Sequence, residues 1–344
     1  MEASIKHEAA PDRSSGQVLR RFLRMREFAL IVMIVAVGVI LQIATQGRFF
    51  TTANFNAITL GFATSAIIMV GMTAALVSGG FDLSVGSVFA MGGVVAALAM
   101  RSNLPIPLAI LLGLGAGMLS GAFTGILITQ IKINPFISTL GMLGIARGIA
   151  LALTQGSPVA SLPEEFALLG QGRLGDLIPA LHETALDIPN LVWIALVIVI
   201  IGDILMRRSA PFRSIYYVGG NEEAARLSGI NVNRVLLGVY ILCGSLAALA
   251  GVLSVSRFTV ADPGAGSGEE LRIIAACIIG GCSLKGGKGA VIGGLLGLIF
   301  VGFINNGMVL LRVPVYWQSL VTGVILLLAV GFDTMSQRLQ QKSK

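Results

Sequence analysis

Apolar residues arrive along this chain in blocks of about twenty, the length at which a helix crosses the hydrocarbon of a bilayer. The blocks predict ten spans, at about 27–46, 57–77, 84–100, 107–129, 136–154, 190–206, 235–256, 271–283, 289–309 and 315–333. The pattern therefore predicts an all-α fold, a polytopic transmembrane helical bundle, with a helix break near residues 78–86. A polar tail over 1–26 precedes the membrane domain of 27–333, and a second tail over 334–344 follows it. The first apolar block is too long for a signal-peptide core and is expected to remain as the first span.

Charge orients the blocks. With both termini cytoplasmic, the inner segments hold seventeen of the Lys and Arg residues: six in the N-terminal tail, Lys132, five between Arg207 and Arg234, Lys285, Lys288, Arg338, Lys342 and Lys344. The outer segments hold six, namely Arg48, Arg101, Arg173, Arg257, Arg272 and Arg312. Such an excess on one side favours cytoplasmic termini and an even number of spans. The longest outer segment, about 155–189, contains Pro158, Pro163, Pro179 and Pro189 and reads as a small irregular cap; the longest inner one runs over about 207–234.

Composition narrows the function. The chain is 55% apolar and only 12% charged, too few charges to cover a water-soluble surface. Its net charge of +7 is spread over block ends, which suits a membrane surface and the lipid bilayer and not nucleic acid. Cys243, Cys277 and Cys282 lie inside apolar blocks and read as small buried side chains, with no metal-ligand spacing.

Two glycine stripes predict close helix packing. Gly113, Gly117, Gly121 and Gly125 recur every four residues in the fourth span, and Gly289, Gly293 and Gly297 do so in the ninth. Small residues at this spacing let membrane helix backbones approach one another.

Ser78-Gly79-Gly80-Phe81-Asp82-Leu83-Ser84-Val85-Gly86-Ser87 places glycines, hydroxyls and one acid between two apolar runs. Unwound backbone at membrane depth survives only where protein or a watery cavity satisfies it. The break formed by Gly79, Gly80, Asp82, Ser84 and Gly86 is thus a candidate border of a translocation path. For Asp82 a second role is open, capping the next helix together with Ser84.

In the inner segment, Asn221-Glu222-Glu223-Ala224-Ala225-Arg226-Leu227-Ser228-Gly229 reads as a short helix. Asn221 is a good N-cap, Glu222 and Glu223 suit the positive end of the dipole, and Gly229 is a good stop. A helix of two turns is not stable alone in water and must dock, either on its own membrane domain or on a cytoplasmic partner. Arg147, inside the fifth span, either snorkels outward or pairs with an acid. Asn305, Asn306 and Gln318 put amides into the last two spans, where polyol binding and interhelical bonding are both open.

Absences bear on the chemistry. The nearest approach to a phosphate-binding loop, Cys282 to Gly289, lacks the first glycine and the final hydroxyl of the motif. With two histidines, His7 and His182, and no G-x-S-x-G or H-E-x-x-H, no catalytic site or cofactor is expected, and transport is the main reading.

Three stretches together resemble the ribose-type permeases of bacterial ABC importers, a group that also serves xylose, arabinose and galactose. They are Ser78 to Ser87, Tyr217 to Ile230, and Glu270-Leu271-Arg272-Ile273-Ile274-Ala275-Ala276 with Ile278-Ile279-Gly280-Gly281. The resemblance spans about residues 27–333. It implies a multi-pass permease of the bacterial inner membrane, paired with a second copy or a paralogue. It also implies an ABC ATP-binding subunit inside and a periplasmic or lipid-anchored sugar-binding protein outside. By the same likeness, Asn221 to Gly229 is the coupling helix that docks on the ATPase. Glu270, Asn305 and Asn306 are candidates for an outer gate. The family often carries an aromatic residue and an acid where this chain has Glu269 and Arg272, a departure that bears on the gate's chemistry.

Overall fold

A computed structural model of the protein describes residues 26–177, 188–318, 320, 321, 323–325, 327, 328 and 331. The two expected tails, the middle of the outer cap and the end of the last span lie outside the described residues. Thirteen helices are used below: α1 (Arg26–Ala44), α2 (Thr52–Val77), α3 (Val85–Arg101), α4 (Ile106–Thr129), α5 (Pro135–Thr154), α6 (Glu164–Ala167), α7 (Leu174–Leu177), α8 (Asn190–Arg208), α9 (Ala210–Gly220), α10 (Glu222–Leu227), α11 (Val232–Phe258), α12 (Glu269–Ile279) and α13 (Val291–Leu310). Among the described residues no strand forms; Val159 pairs with Ala261 and Arg173 with Pro189 as isolated bridges.

Local chemistry sets many of these ends. Thr51 accepts a bond from Asn54 N at 3.3 Å to open α2, and Asn134 accepts from Phe136 N at 2.8 Å to open α5, whose first residue is proline. Asn231 does the same for α11 through Arg234 N at 3.1 Å.

Six helices, α2, α4, α5, α8, α11 and α13, are long and apolar enough to cross a membrane. Shorter apolar helices cover Phe28–Ala44, Val85–Arg101 and Val315–Ile325. The block expected to span 271–283 instead forms α12, a helix of 11 residues. At 1.5 Å per residue that is about 16 Å, half the hydrocarbon thickness. The helix stops because Gly281 takes a left-handed conformation (φ 104°), with Gly281 N–H donating to Ile278 O and Cys282 N–H to Cys277 O. This is the Schellman closure, which needs a residue without Cβ strain at that point.

The core is organised around α11, which packs against α2, α3 and α4. The glycine stripe of α4 faces it. A side chain at Gly113 would meet Val252, at Gly117 Ala248 and Gly244, at Gly121 the carbonyl of Tyr240, and at Gly125 Leu237. The descending partner numbers define an antiparallel pair in backbone contact at Gly117, Gly121 and Gly125, and the contact is mutual, since a side chain at Gly244 would strike the carbonyl of Gly117. In the second stripe, Gly293 and Gly297 lie on the carbonyls of Gly280 and Ala276 in α12. Gly289 corrects the expectation: it lies before α13 begins, in the turn that follows Cys282, so only two of the three glycines belong to a helix face.

The bundle keeps α2 inside, with 78% of its apolar window buried, whereas the windows of α4, α5 and α8 are each 28% buried. The exposed sides of the outer helices carry Ile40, Leu111, Leu119, Ile137 and Ile201, the surface a hydrocarbon solvent requires. At one end, the cap segment docks on the end of α11 through the Val159–Ala261 bridge (both N–O distances 2.9 Å) and the fully buried Phe166, whose carbonyl accepts from Ser256 Oγ.

Candidate functional site: a polar cavity and a docking segment at opposite ends

Two regions carry the candidate residues, and α11 separates them. Its 27 residues put Val232 and Phe258 about 40 Å apart.

At the Phe258 end, a cavity of about 650 Å³ opens between α2, α12, α13 and the start of the Val315–Ile325 helix. Its walls are largely apolar, among them Ile58, Phe62, Leu298 and Val301, and its polar groups are Ser267, Glu269, Arg272, Asn305, Asn306 and Gln318. A helix turns 100° per residue, so the two adjacent acids of α12 face different ways. Glu269 is ion-paired with Arg272 and accepts from Ser65 Oγ at 2.9 Å, while Arg272 Nη2 donates to the same hydroxyl at 3.1 Å. Glu270 turns from the cavity: its carboxylate accepts from Gly268 N at 3.2 Å and lies against Gly86. The gate candidate nearest the cavity is therefore Glu269 with Arg272, and Glu270 faces the other side of α12.

Asn306 lines the cavity but is tied across it. Its amide exchanges two bonds with Asn54 of α2, Nδ2 of Asn54 to Oδ1 of Asn306 at 3.0 Å and the reverse at 2.9 Å. Asn305 lines the same wall. Arg147 Nη1 donates to Pro263 O and, at 2.8 Å, to Ala265 O, holding the loop between α11 and α12 against α5, and the carboxylates of Glu270 and Asp262 lie near enough to act on its charge. That loop reaches far enough into the bundle for Gly266 to touch Gly86 at the start of α3.

The break between α2 and α3 is a second Schellman closure. Gly79 is left-handed (φ 90°), Gly79 N–H donates to Leu76 O and Gly80 N–H to Ala75 O, both at 3.0 Å. Asp82, 1% exposed, accepts from both Ser84 N (2.8 Å) and Ser84 Oγ (2.6 Å), so it orders the turn that starts α3. Gly80 packs under the Tyr240 hydroxyl, which leaves no room for a side chain there.

At the Val232 end, Asn221 Oδ1 accepts from Ala224 N at 2.9 Å to open α10, Glu222 pairs with Arg226 at 2.7 Å, and Gly229 closes the helix at φ 83°. Ala225 is buried with Val218 and Val232, which fixes one face of α10 to its own domain. The remaining surface of α10 is exposed and carries Glu222, Glu223 and Arg226, together with Leu227, 85% exposed. Helix α9, immediately before α10, was not read from the sequence, although Pro211 at its start and the spacing of Phe212, Ile215 and Tyr216 signal it. Tyr216 Oη donates to Gly289 O at 3.0 Å, and burial holds its phenol above the ordinary value, so the hydroxyl keeps its proton.

Two helix breaks thus lie inside an apolar bundle, with a cavity holding a few polar groups at one end and a short helix bearing exposed charges at the other. Residues 54–330 match the family described as branched-chain amino acid transport system / permease component. The chain belongs to that permease family. The permease is 40% identical over 316 residues to the ribose import permease protein RbsC of Escherichia coli K12, covering 91% of this chain and 95% of that one. It is 37% identical to the RbsC of Haemophilus influenzae, over 93% of this chain and 96% of the relative. The xylose transport system permease protein XylH of E. coli K12 is 33% identical, over 92% of this chain and 93% of that protein. No solved structure matches the permease. As a permease subunit it is a membrane component of a transport system and not an enzyme.

Proposed function

We propose that the chain is the membrane-spanning permease subunit of an ATP-binding-cassette importer that moves a monosaccharide or related polyol across the bacterial inner membrane. The observation that carries this reading is the likeness of more than nine tenths of the chain to ribose and xylose import permeases. The chain makes ten passes with both termini in the cytoplasm, α12 and the inward-reaching loop before it forming the eighth. A second permease copy or paralogue completes the pathway. ATP is hydrolysed by a separate cytoplasmic subunit docked on α10, and a periplasmic or lipid-anchored binding protein delivers the sugar to the opposite end. Asn305, Gln318 and the Glu269–Arg272 pair offer donors and acceptors to hydroxyl groups in an otherwise apolar passage, so binding there is weak and the solute can leave. ATP acts by favouring one of two access states of the permease.

Proteoliposomes holding the permease, its ATPase and its binding protein test this directly. Ribose or xylose uptake is expected to require ATP and to survive an uncoupler; uptake that ignores ATP and collapses with the ion gradient would sink the importer reading. Glu222→Lys with Glu223→Lys is expected to abolish copurification of the ATPase, because it reverses the charge on the exposed face of α10. A second cargo, a branched-chain amino acid, has a specific observation behind it: the family description, with a cavity that presents one cation and one anion to a zwitterion. Competition of uptake by leucine and not by pentoses would select it.

A further inference from the structure

Three segments distant in sequence meet backbone to backbone beside α10. They are the end of α2 at Val77–Gly79, the last turn of α9 at Gly219, and the loop at Gly286–Gly287 between α12 and α13. Gly287 N–H donates to Val77 O at 2.8 Å. A Cβ on Gly219 would run into that same carbonyl oxygen and stand 2.8 Å from Gly287 N. A Cβ on Gly286 would stand 2.6 Å from Gly219 O and 2.8 Å from Gly79 Cα. Apart from Val77, whose backbone carbonyl is the atom approached, each position of closest approach is glycine, so the three backbones meet without intervening side chains to take up a displacement.

The attachment of α10 to this junction is equally short. Helix α9 ends at Gly220, Asn221 serves as its C-cap through a bond to Tyr217 O and is at the same time the N-cap of α10. No loop intervenes to absorb motion of α10. One turn before Gly219, Tyr216 grips Gly289 O at 3.0 Å, adding a side-chain tie to the same loop. Beyond the junction lie the two helix breaks: Val77 and Gly79 lead to the Asp82 turn and α3, and Gly286–Gly287 lead into α13, whose far end carries Asn305 and Asn306 at the cavity.

We infer that Gly219 is a positioning residue for transport: through its glycine-only contact, displacement of the docking helix reaches the α2–α3 break and the α12–α13 break together. The inference rests on the reading of α10 as the helix that docks on an ATPase. Packed contacts of this kind shift between discrete arrangements and do not deform continuously, so one added methyl group holds the three segments apart.

The neighbouring glycine supplies the control. A Cβ on Gly220 would meet nothing within 4 Å. In proteoliposomes carrying the full complex, Gly219→Ala is expected to keep copurification with the ATPase and ATP hydrolysis, while sugar moved per ATP hydrolysed falls about tenfold, a coupling loss of ordinary size. Gly220→Ala is expected to match the wild type. A wild-type transport ratio in folded Gly219→Ala would overturn the inference, and so would equal uncoupling by Gly220→Ala. If Gly219→Ala fails to reach the membrane, Tyr216→Phe decides: it removes only the hydroxyl bond to Gly289 O, is expected to lower the ratio with hydrolysis intact, and an unchanged ratio would count against the inference. Failure of the underlying reading shows elsewhere, as undiminished copurification of the ATPase with the variant carrying Glu222→Lys and Glu223→Lys.

Discussion

The two ends of this permease are held together differently. At the α10 end, α2, α9 and the α12–α13 loop close backbone on backbone at Gly79, Gly219, Gly286 and Gly287. At the cavity end, side chains add to backbone contacts such as Gly266 on Gly86 and Val159 on Ala261: Arg147 on the carbonyls of Pro263 and Ala265, Arg272 with Glu269 and Ser65, and Asn54 with Asn306. Backbone contact leaves little freedom and suits an end that must pass on a displacement. Side-chain contact can be exchanged bond for bond, which suits an end that must open for a solute and close behind it.

The largest expected effect is at the backbone end. Gly286→Ala adds left-handed strain (φ 84°) to a collision with Gly219 and should cost about 2–4 kcal/mol. A lowered thermal midpoint and reduced yield in detergent would register it; a variant as stable as the wild type would show that this end yields more than its geometry implies. Next comes Arg147→Met, which frees the loop between α11 and α12 at both carbonyls. Uptake should fall several-fold with the folded yield unchanged. Unfolding as complete as that of Gly286→Ala would break the contrast between the ends.

Asn306→Ala removes the reciprocal amide pair and should lower stability by about 1 kcal/mol, the scale of interhelical hydrogen bonds in membranes, measurable by thermal unfolding. Smallest is Asp82→Asn. Its amide oxygen still accepts from Ser84 N and Ser84 Oγ, so uptake should stay within about twofold, whereas Asp82→Ala loses both turn bonds, at a cost of about 1–3 kcal/mol; neither Asp82 nor Ser84 caps α3 through its side chain, the role the sequence leaves open. Full loss of uptake in Asp82→Asn with normal expression would assign the negative charge itself a task.

Much of this organisation was legible in advance because the signals are local. Hydrocarbon length sets the apolar blocks, four-residue glycine spacing sets one face of α4, and Asn221 with Gly229 brackets α10 whatever lies around it. The cavity was legible only in part. Asn305 and Asn306 stood out as amides in an apolar run, yet nothing in the chain says that Asn306 is engaged by Asn54, 252 positions away. Glu269 and Glu270 are chemically alike neighbours, and which of them meets the cavity depends on the angle at which α12 sits between α2 and α13. Nothing in the sequence separates Gly219 from Gly220, because the atoms that give Gly219 its meaning belong to Val77 and Gly287.

By itself, then, the sequence determined that this protein lives in a bilayer, where most of the long helices lie, that the chain breaks between α2 and α3, and that a short helix opened by Asn221 follows in the inner segment. Each of these follows from solvation or backbone hydrogen bonding within a few residues. Only the tertiary structure decided that α12 is a half-length helix, that Glu269 and not Glu270 turns to the cavity, and that three glycine segments share one junction. Those outcomes depend on which backbones come within contact distance, and in a membrane, where apolar faces do not choose among partners by hydrophobicity, close packing makes that choice.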